Sequence, residues 1–265
     1  MRPQLLARLV CCAALASARI SGPPATRSLP GPAVRRGGAT TPYGDVKLAA
    51  KTAVGVGIET ILLCAAIEAS RLAPDSVSRL VVRAKILPTK NVLGLPALQV
   101  VAWFFVIFAS SVVGSLGDRG ISSAQLANPN QPPDMEWYKS LNRPSWEPPG
   151  IVFPIMWLLI SKPTQLLAVA RISAAGPNWP ALALYCAHLS LGDAWNRVFF
   201  GEKRIRLSTL VISTFYTALL ATAGVFAKID VKAGLLMLPT CAWVAVASAL
   251  NFAVRRLNPN RDDEP

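Results

Sequence analysis

Three stretches of this chain carry aromatic and polar side chains at helical spacing inside otherwise apolar sequence. Trp157, Ser161 and Gln165 recur every four residues and therefore share one face of a helix. Tyr185, His188, Gly192, Trp195, Asn196 and Phe199 follow a second stripe, with Asp193 beside it. Pro239, Trp243, Ala247 and Asn251 make a third, again at spacing four. Gly192 and Ala247 are small and leave room between the faces. The chemistry these residues suit is non-covalent. Indole and phenol rings stack on a flat apolar ligand, and a few amides and hydroxyls orient it. His188 is the single histidine, which excludes a multi-histidine metal centre. Five cysteines without a CxxC make neither a zinc pattern nor a disulfide framework. No catalytic residue and no metal ligand is assigned.

A second group sits in the loop before Trp157. Trp137, Tyr138, Arg143, Trp146 and Pro149 fall in a segment that Pro144, Pro148 and Pro149 stiffen by fixing φ. A stiff aromatic loop at the mouth of a bundle makes a lid. Trp137 and Trp146 are equally suited to anchoring at the headgroup level.

These faces need long helices to hold them. Of the 265 residues, 52% are hydrophobic and 15% charged, against about 25% charged in an ordinary soluble domain. The mean hydropathy is +0.41. Residues 91–117, 172–192, 207–227 and 233–254 are long runs free of charge, and 148–170 is broken only by Lys162. A helix of about 20 residues crosses about 30 Å of hydrocarbon. We read five transmembrane helices, near 96–116, 150–171, 179–200, 205–227 and 233–255. Short links after the second helix make neighbours antiparallel. The fold class is an all-α membrane protein, a five-helix up-and-down bundle. Pro163 is expected to kink its helix, because it lacks an N–H.

The net charge of +13 does not signal nucleic acid. Six of the arginines fall in the first 44 residues, which hold no acid. The other basic residues sit mostly at helix ends and in loops, where membrane proteins keep them. Residues 1–44 read as a targeting segment: a short apolar stretch from Leu5 to Ala18, a small-x-small site at Ala16-Ser17-Ala18, then an acid-free Arg/Ser/Pro/Gly stretch. That order suggests an organellar membrane, with a plastid favoured over a mitochondrion. Residues 45–92 are expected to form an amphipathic or peripheral helix and a basic connector. A sixth span over Thr52 to Ile67 is the lesser option, because Glu59 sits at its centre and a mid-bilayer charge costs about 2.5–3.5 kcal/mol. Residues 93–258 form the membrane domain, and 259–265 a polar tail.

The same residues resemble the TspO/MBR family, also called translocator proteins. Before the second helix the match comprises Trp137, Tyr138, Leu141, Arg143, Pro144, Trp146, Pro148, Pro149, Phe153 and Trp157. The third helix matches at Tyr185, Leu189, Leu191, Trp195, Phe199, Phe200 and Gly201. The fifth matches at Leu235, Leu236, Pro239, Trp243, Ala247, Leu250, Asn251, Val254, Leu257 and Asn258. Departures are Lys162-Pro163, His188, Gly192, Asp193, Asn196 and Thr240. The resemblance implies a five-helix membrane protein that binds protoporphyrin-like tetrapyrroles, with Trp157 and Trp243 in the cavity and Tyr138 and Trp146 in the lid. It also implies sterol or drug-like ligands in some members, and frequent dimers. The cholesterol consensus needs a tyrosine where this chain has Phe252, so sterol binding is not supported.

The expected ligand site is Tyr138, Arg143, Trp146, Pro149, Trp157, Ser161, His188, Trp195, Asn196, Trp243, Ala247 and Asn251. Arg143 or Lys139 would meet a propionate. His188 is read as hydrogen-bonded to a neighbouring helix rather than ligating haem iron, and Asp193 as paired with Arg197. Ala183 and Ala187 are a dimer seam or internal packing. The expected partners are membrane lipid, a porphyrin or haem-type ligand and a possible second copy, without nucleic acid. No cofactor is required, the tetrapyrrole being a ligand. The favoured function is tetrapyrrole binding for sequestration, transport or disposal. Alternatives are light-dependent porphyrin degradation, lipid or sterol binding, and a non-binding membrane partner, the last favoured if Lys162 and Pro163 close the cavity.

Overall fold

The computed structural model describes residues 42–86, 91–116, 135–259 and 261. The expected targeting segment lies almost wholly outside the described residues, and so does most of the polar tail.

Helix α1 covers Pro42–Leu72, with Asp45 in its first turn and Arg71 in its last, the signs that complement the helix dipole. It stops just before Pro74, which has no N–H to continue the ladder. The basic connector holds a short helix, α2 (Asp75–Arg83), and a two-residue antiparallel pair, Asn91↔Pro96 and Val92↔Leu95. The turn of that hairpin needs positive φ at both central residues, and Leu93 and Gly94 have φ of 56° and 79°. Then come α3 (Ala97–Leu116), α4 (Met135–Ser140), α5 (Val152–Ala174), α6 (Trp179–Asn196), α7 (Ile205–Ile229) and α8 (Val231–Leu257).

Helices α3, α5, α8, α7 and α6 pack in that order into a closed ring, and α1 lies in the groove between α3 and α6. One residue, Asp230, separates α7 from α8. Its Oδ1 accepts the Ala233 N–H at 3.0 Å and caps α8, and its Oδ2 accepts from Arg171 Nη2 at 2.6 Å. The core contains Trp103, Tyr185, His188, Phe226 and Met237, all fully buried. Outward from it, Ile58, Ile61, Leu210, Leu220, Leu235, Leu238 and Phe252 are exposed. An apolar outside around a partly polar inside suits hydrocarbon rather than water.

Among the described helices, four have the length and apolarity to cross a bilayer: Asp45–Leu72, Val152–Ala174, Ile205–Ile229 and Val231–Leu257. The all-α membrane bundle stands, but this set is not the expected five. Helices α5, α7 and α8 qualify. Helix α3 is a charge-free apolar helix over Ala97–Leu116, and α6, which carries His188, Asp193 and Asn196, is not in the set. Helix α1 joins it instead. The objection to α1 was Glu59, and that residue is only 2% exposed because it faces protein.

The expected kink at Pro163 takes a definite form. Residues Ile155–Ser161 of α5 are wound as a π-helix, and the Lys162 N–H reaches back five residues to the Trp157 carbonyl. The proline ring crowds the carbonyl four residues before it, and local unwinding relieves this. A second π-helical turn, Arg197–Gly201, ends α6.

Candidate functional site

The lid is built first by α4 and its following loop. Trp137 packs edge-on against Phe199 with ring centres 5.5 Å apart, and Tyr138 leans on Phe199 and Phe200. Asn142 N–H donates to Asn258 Oδ1 at 3.0 Å and Asn258 Nδ2 donates to the Asn142 carbonyl at 2.8 Å, which pins the loop to the end of α8. Tyr138 Oη donates to Glu147 Oε1 at 2.6 Å, and Arg143 Nη1 donates to Glu147 Oε2 at 2.6 Å. The Arg143 guanidinium also lies 5.5 Å from the centre of the Tyr138 ring. Burial, and then the Glu147 carboxylate beside it, hold the Tyr138 phenol well above its ordinary range. Arg143 therefore closes a Tyr138–Glu147–Arg143 clasp. Trp146 is half exposed and Pro149 is exposed, its carbonyl accepting the Val152 N–H that starts α5. Of the two expected lid or anchor tryptophans, Trp137 is buried in the lid and Trp146 faces outward.

Beneath the lid, α5 and α8 face each other through indoles. Trp157 and Trp243 meet edge to face with centres 6.5 Å apart, and Phe153 meets Trp243 the same way at 5.3 Å. Trp243 is buried, and its Nε1 has no hydrogen-bond partner. Ser161, one turn beyond Trp157 on the π-wound stretch, is fully buried and its Oγ is likewise unpartnered. Ala247 is buried on the same helix as Trp243. Lys162 turns the other way, with Nζ 5.2 Å from the Phe108 ring of α3.

Deeper in the ring, Gln165 ties three helices together. Its Nε2 donates to Thr240 Oγ1 at 3.2 Å, and its Oε1 accepts from Tyr185 Oη at 3.0 Å. His188 Nε2 lies 3.3 Å from the same oxygen. With the proton on Nε2, that contact is a hydrogen bond and Nδ1 keeps a buried, unpartnered lone pair. Phe215 stacks on the imidazole and Tyr185 meets its edge. His188 thus makes the hydrogen bond to a neighbouring helix that its solitary position suggested. A Cβ at Gly192 would come within 3.2 Å of Phe215, so the ring of α7 occupies the room that this glycine opens.

The remaining expected residues separate. Trp195 Nε1 donates to Asn251 Oδ1 at 2.8 Å, Ser208 Oγ donates to the same oxygen at 3.2 Å, and Asn251 Nδ2 donates to Thr209 Oγ1 at 3.1 Å. The Trp195 ring stacks on Phe199 under the lid. Asn196 is exposed and donates to its own helix at the Gly192 carbonyl. The expected stripe on α6 therefore divides, with His188 inside the ring, Trp195 below the lid and Asn196 outside. Thr240 belongs with Gln165, and its partner could not be read from sequence because it lies 75 residues away. Ala183 and Ala187 are half-buried.

A hollow of about 290 Å³ opens at the far end of the bundle. Ile67, Arg71, Gln99, Ser173, Trp179 and Leu182 are among its lining residues. None of the expected site residues lines it.

An all-α bundle with an apolar exterior, buried amides and facing indoles beneath a proline-stiffened lid defines an integral membrane protein. More narrowly, the chain belongs to the TspO/MBR family, whose family model matches residues 104–257. It is 39% identical to the tryptophan-rich sensory protein of Cereibacter sphaeroides over 128 residues, 48% of this chain and 80% of that protein. It is 37% identical to Protein CrtK of Rhodobacter capsulatus, over 46% of this chain and 79% of that one. With the human translocator protein the identity is 30%, over 47% of this chain and 76% of the relative. The matched region leaves out α1, α2 and the hairpin.

Proposed function

We propose that this membrane protein binds a planar tetrapyrrole of the protoporphyrin type between α5 and α8, and holds it for sequestration, transport or disposal. The observation that carries the reading is the orphaned Trp243 Nε1, buried where Trp157 and Phe153 present their rings. A buried donor without an acceptor costs about 1–3 kcal/mol. A flat aromatic ligand with carboxylate or ring-nitrogen acceptors would recover that loss while stacking on the indoles. Ser161 Oγ adds a second unpartnered polar atom on the facing helix. The clasp supports the same reading, because a propionate can replace Glu147 at Arg143. By the composition of residues 1–44, the host membrane is an organelle's, a plastid's before a mitochondrion's.

The test is protoporphyrin titration of the full chain in lipid nanodiscs, read by quenching of tryptophan fluorescence. Trp243→Phe and Trp157→Phe are expected to weaken binding about tenfold each, whereas Trp146→Phe leaves the affinity unchanged. Equal affinity in all four proteins would remove the indole pair from the site. Illuminating the complex separates a carrier from a degrading enzyme: bleaching faster than the free pigment shows degradation.

A further inference from the structure

A cluster of ionisable groups lies on the seam between α1 and α6, away from the facing indoles. Glu59 of α1 has its side chain 1% exposed, and one oxygen, Oε2, accepts from Arg197 Nη1 at 3.4 Å. Its other oxygen, Oε1, is buried and unpartnered. Asp193 of α6 stands one turn before Arg197 and one turn after Ser190, which Thr60 reaches from α1, and its Oδ2 is also buried and unpartnered. Two buried carboxylates on one seam each keep an acceptor without a donor. Each orphaned oxygen lacks the same thing, a hydrogen between them.

We propose that Glu59 and Asp193 form an intramembrane proton-binding site, in which the two carboxyls share one proton across the α1–α6 seam. Like charges on one seam in a poorly hydrated site do not both persist, and one proton converts the repulsion into a short hydrogen bond. Other charges near the pair are few. Arg197 supports the Glu59 oxygen that the proton does not use. Lys162 of α5 turns to the Phe108 ring of α3, its Nζ 5.2 Å from the ring centre. Helix α3, the other helix packed on α1, brings no ionisable residue. Thr60 Oγ1 donates to Ser190 Oγ at 3.2 Å one residue away, so the polar contacts of α1 with α6 concentrate at this level.

The site does two things. It lets an acidic residue sit at the middle of a helix that crosses lipid, without an uncompensated charge. It also makes the attachment of α1 depend on pH. Loss of the shared proton leaves two facing anions with one close guanidinium, and α1 loosens. The titration belongs to the pair as a unit and not to either residue.

Infrared spectroscopy of the full chain in nanodiscs tests this, because a protonated carboxyl has a carbonyl stretch apart from those of carboxylates and amides. At neutral pH the unmodified protein is expected to show one such band, shifting in deuterium oxide. Glu59→Gln removes it. Asp193→Asn also removes it, because Glu59 then ionises against Arg197 with the new amide as donor. A protein without the band at neutral pH overturns the proposal with no variant needed. A band that survives Asp193→Asn also overturns it, since that result describes a lone buried acid. Hydrogen–deuterium exchange of α1, corrected for intrinsic pH dependence, is expected to rise at least tenfold when the band is titrated away, and to be flat with pH in Glu59→Gln. Exchange that rises equally in both refutes the coupling to α1.

Discussion

At the scale of single residues, the hydrogen-bonded amides decide more than the tryptophans do. Gln165 satisfies Tyr185, His188 and Thr240 from one side chain. Tyr185→Phe removes one bond, which costs about 0.6–1.7 kcal/mol between membrane helices. Gln165→Leu strands three buried groups at once, and the expected loss is about 2–4 kcal/mol. Unfolding of the two variants and their double mutant in detergent checks this. The double mutant should lie less than 1 kcal/mol below Gln165→Leu, since the two side chains share a bond. The clasp gives a pH prediction of definite sign. The Tyr138 phenol is raised by burial and by Glu147 above the unfolded value of about 10. Its contribution is therefore fully present below about pH 10 and is lost as pH rises through the higher folded value. Tyrosinate absorbance should show a late-titrating phenol that is lost in Tyr138→Phe, and Glu147→Gln should bring it down. The tryptophans of this site were legible in sequence, because spacing by four names a helix face. Their partners were not. Thr240 and Asn251 each meet residues dozens of positions away, and no local pattern carries that information.

At the scale of elements, the hairpin of α7 and α8 has the tightest constraint. A Cβ on Gly234 would stand 2.5 Å from Ala227 Cβ and 2.7 Å from Ala227 Cα. Backbone and Cβ atoms cannot step aside as a flexible side-chain end does. Gly234→Ala must spread the two helices at the one-residue link, and overpacking of this kind costs about 1–3 kcal/mol. The expected result is a lowered Tm. Gly224→Ala, with open space at its Cβ, should match or slightly raise the original, as a helix gains about 1 kcal/mol when alanine replaces glycine. Equal losses at both positions would contradict the close approach. The apolar runs placed α5, α7 and α8 to within a few residues, because burial in lipid demands length and apolarity in the chain itself. The π-wound stretch of α5 was foreshadowed only as a kink. Pro163 announces that the ladder breaks, but not that the relief is taken over the residues before it.

At the scale of the whole molecule, α1 changes what the bundle is. Read alone, its central glutamate placed it on the membrane surface. In the structure it runs antiparallel along the full length of α6. Asp45 stands 3.9 Å from Arg204, Glu59 meets Arg197, Thr60 meets Ser190, and Ile67 and Leu182 line one hollow. The missing piece was the partner of Glu59, which lies 138 residues away. A helix that keeps step with α6 from one end to the other must cross as much of the bilayer as α6 does. Lys47, just inside one end of α1, and Pro74, just beyond the other, then lie on opposite faces. Single cysteines at these positions, in full-length protein with Cys11, Cys12, Cys64, Cys186 and Cys241 replaced by alanine, should label from opposite sides of sealed, uniformly oriented vesicles with a membrane-impermeant maleimide. Labelling of both from one side would return α1 to the surface. The seam with Glu59 would then have to form outside the hydrocarbon, where an ionised carboxylate needs no shared proton.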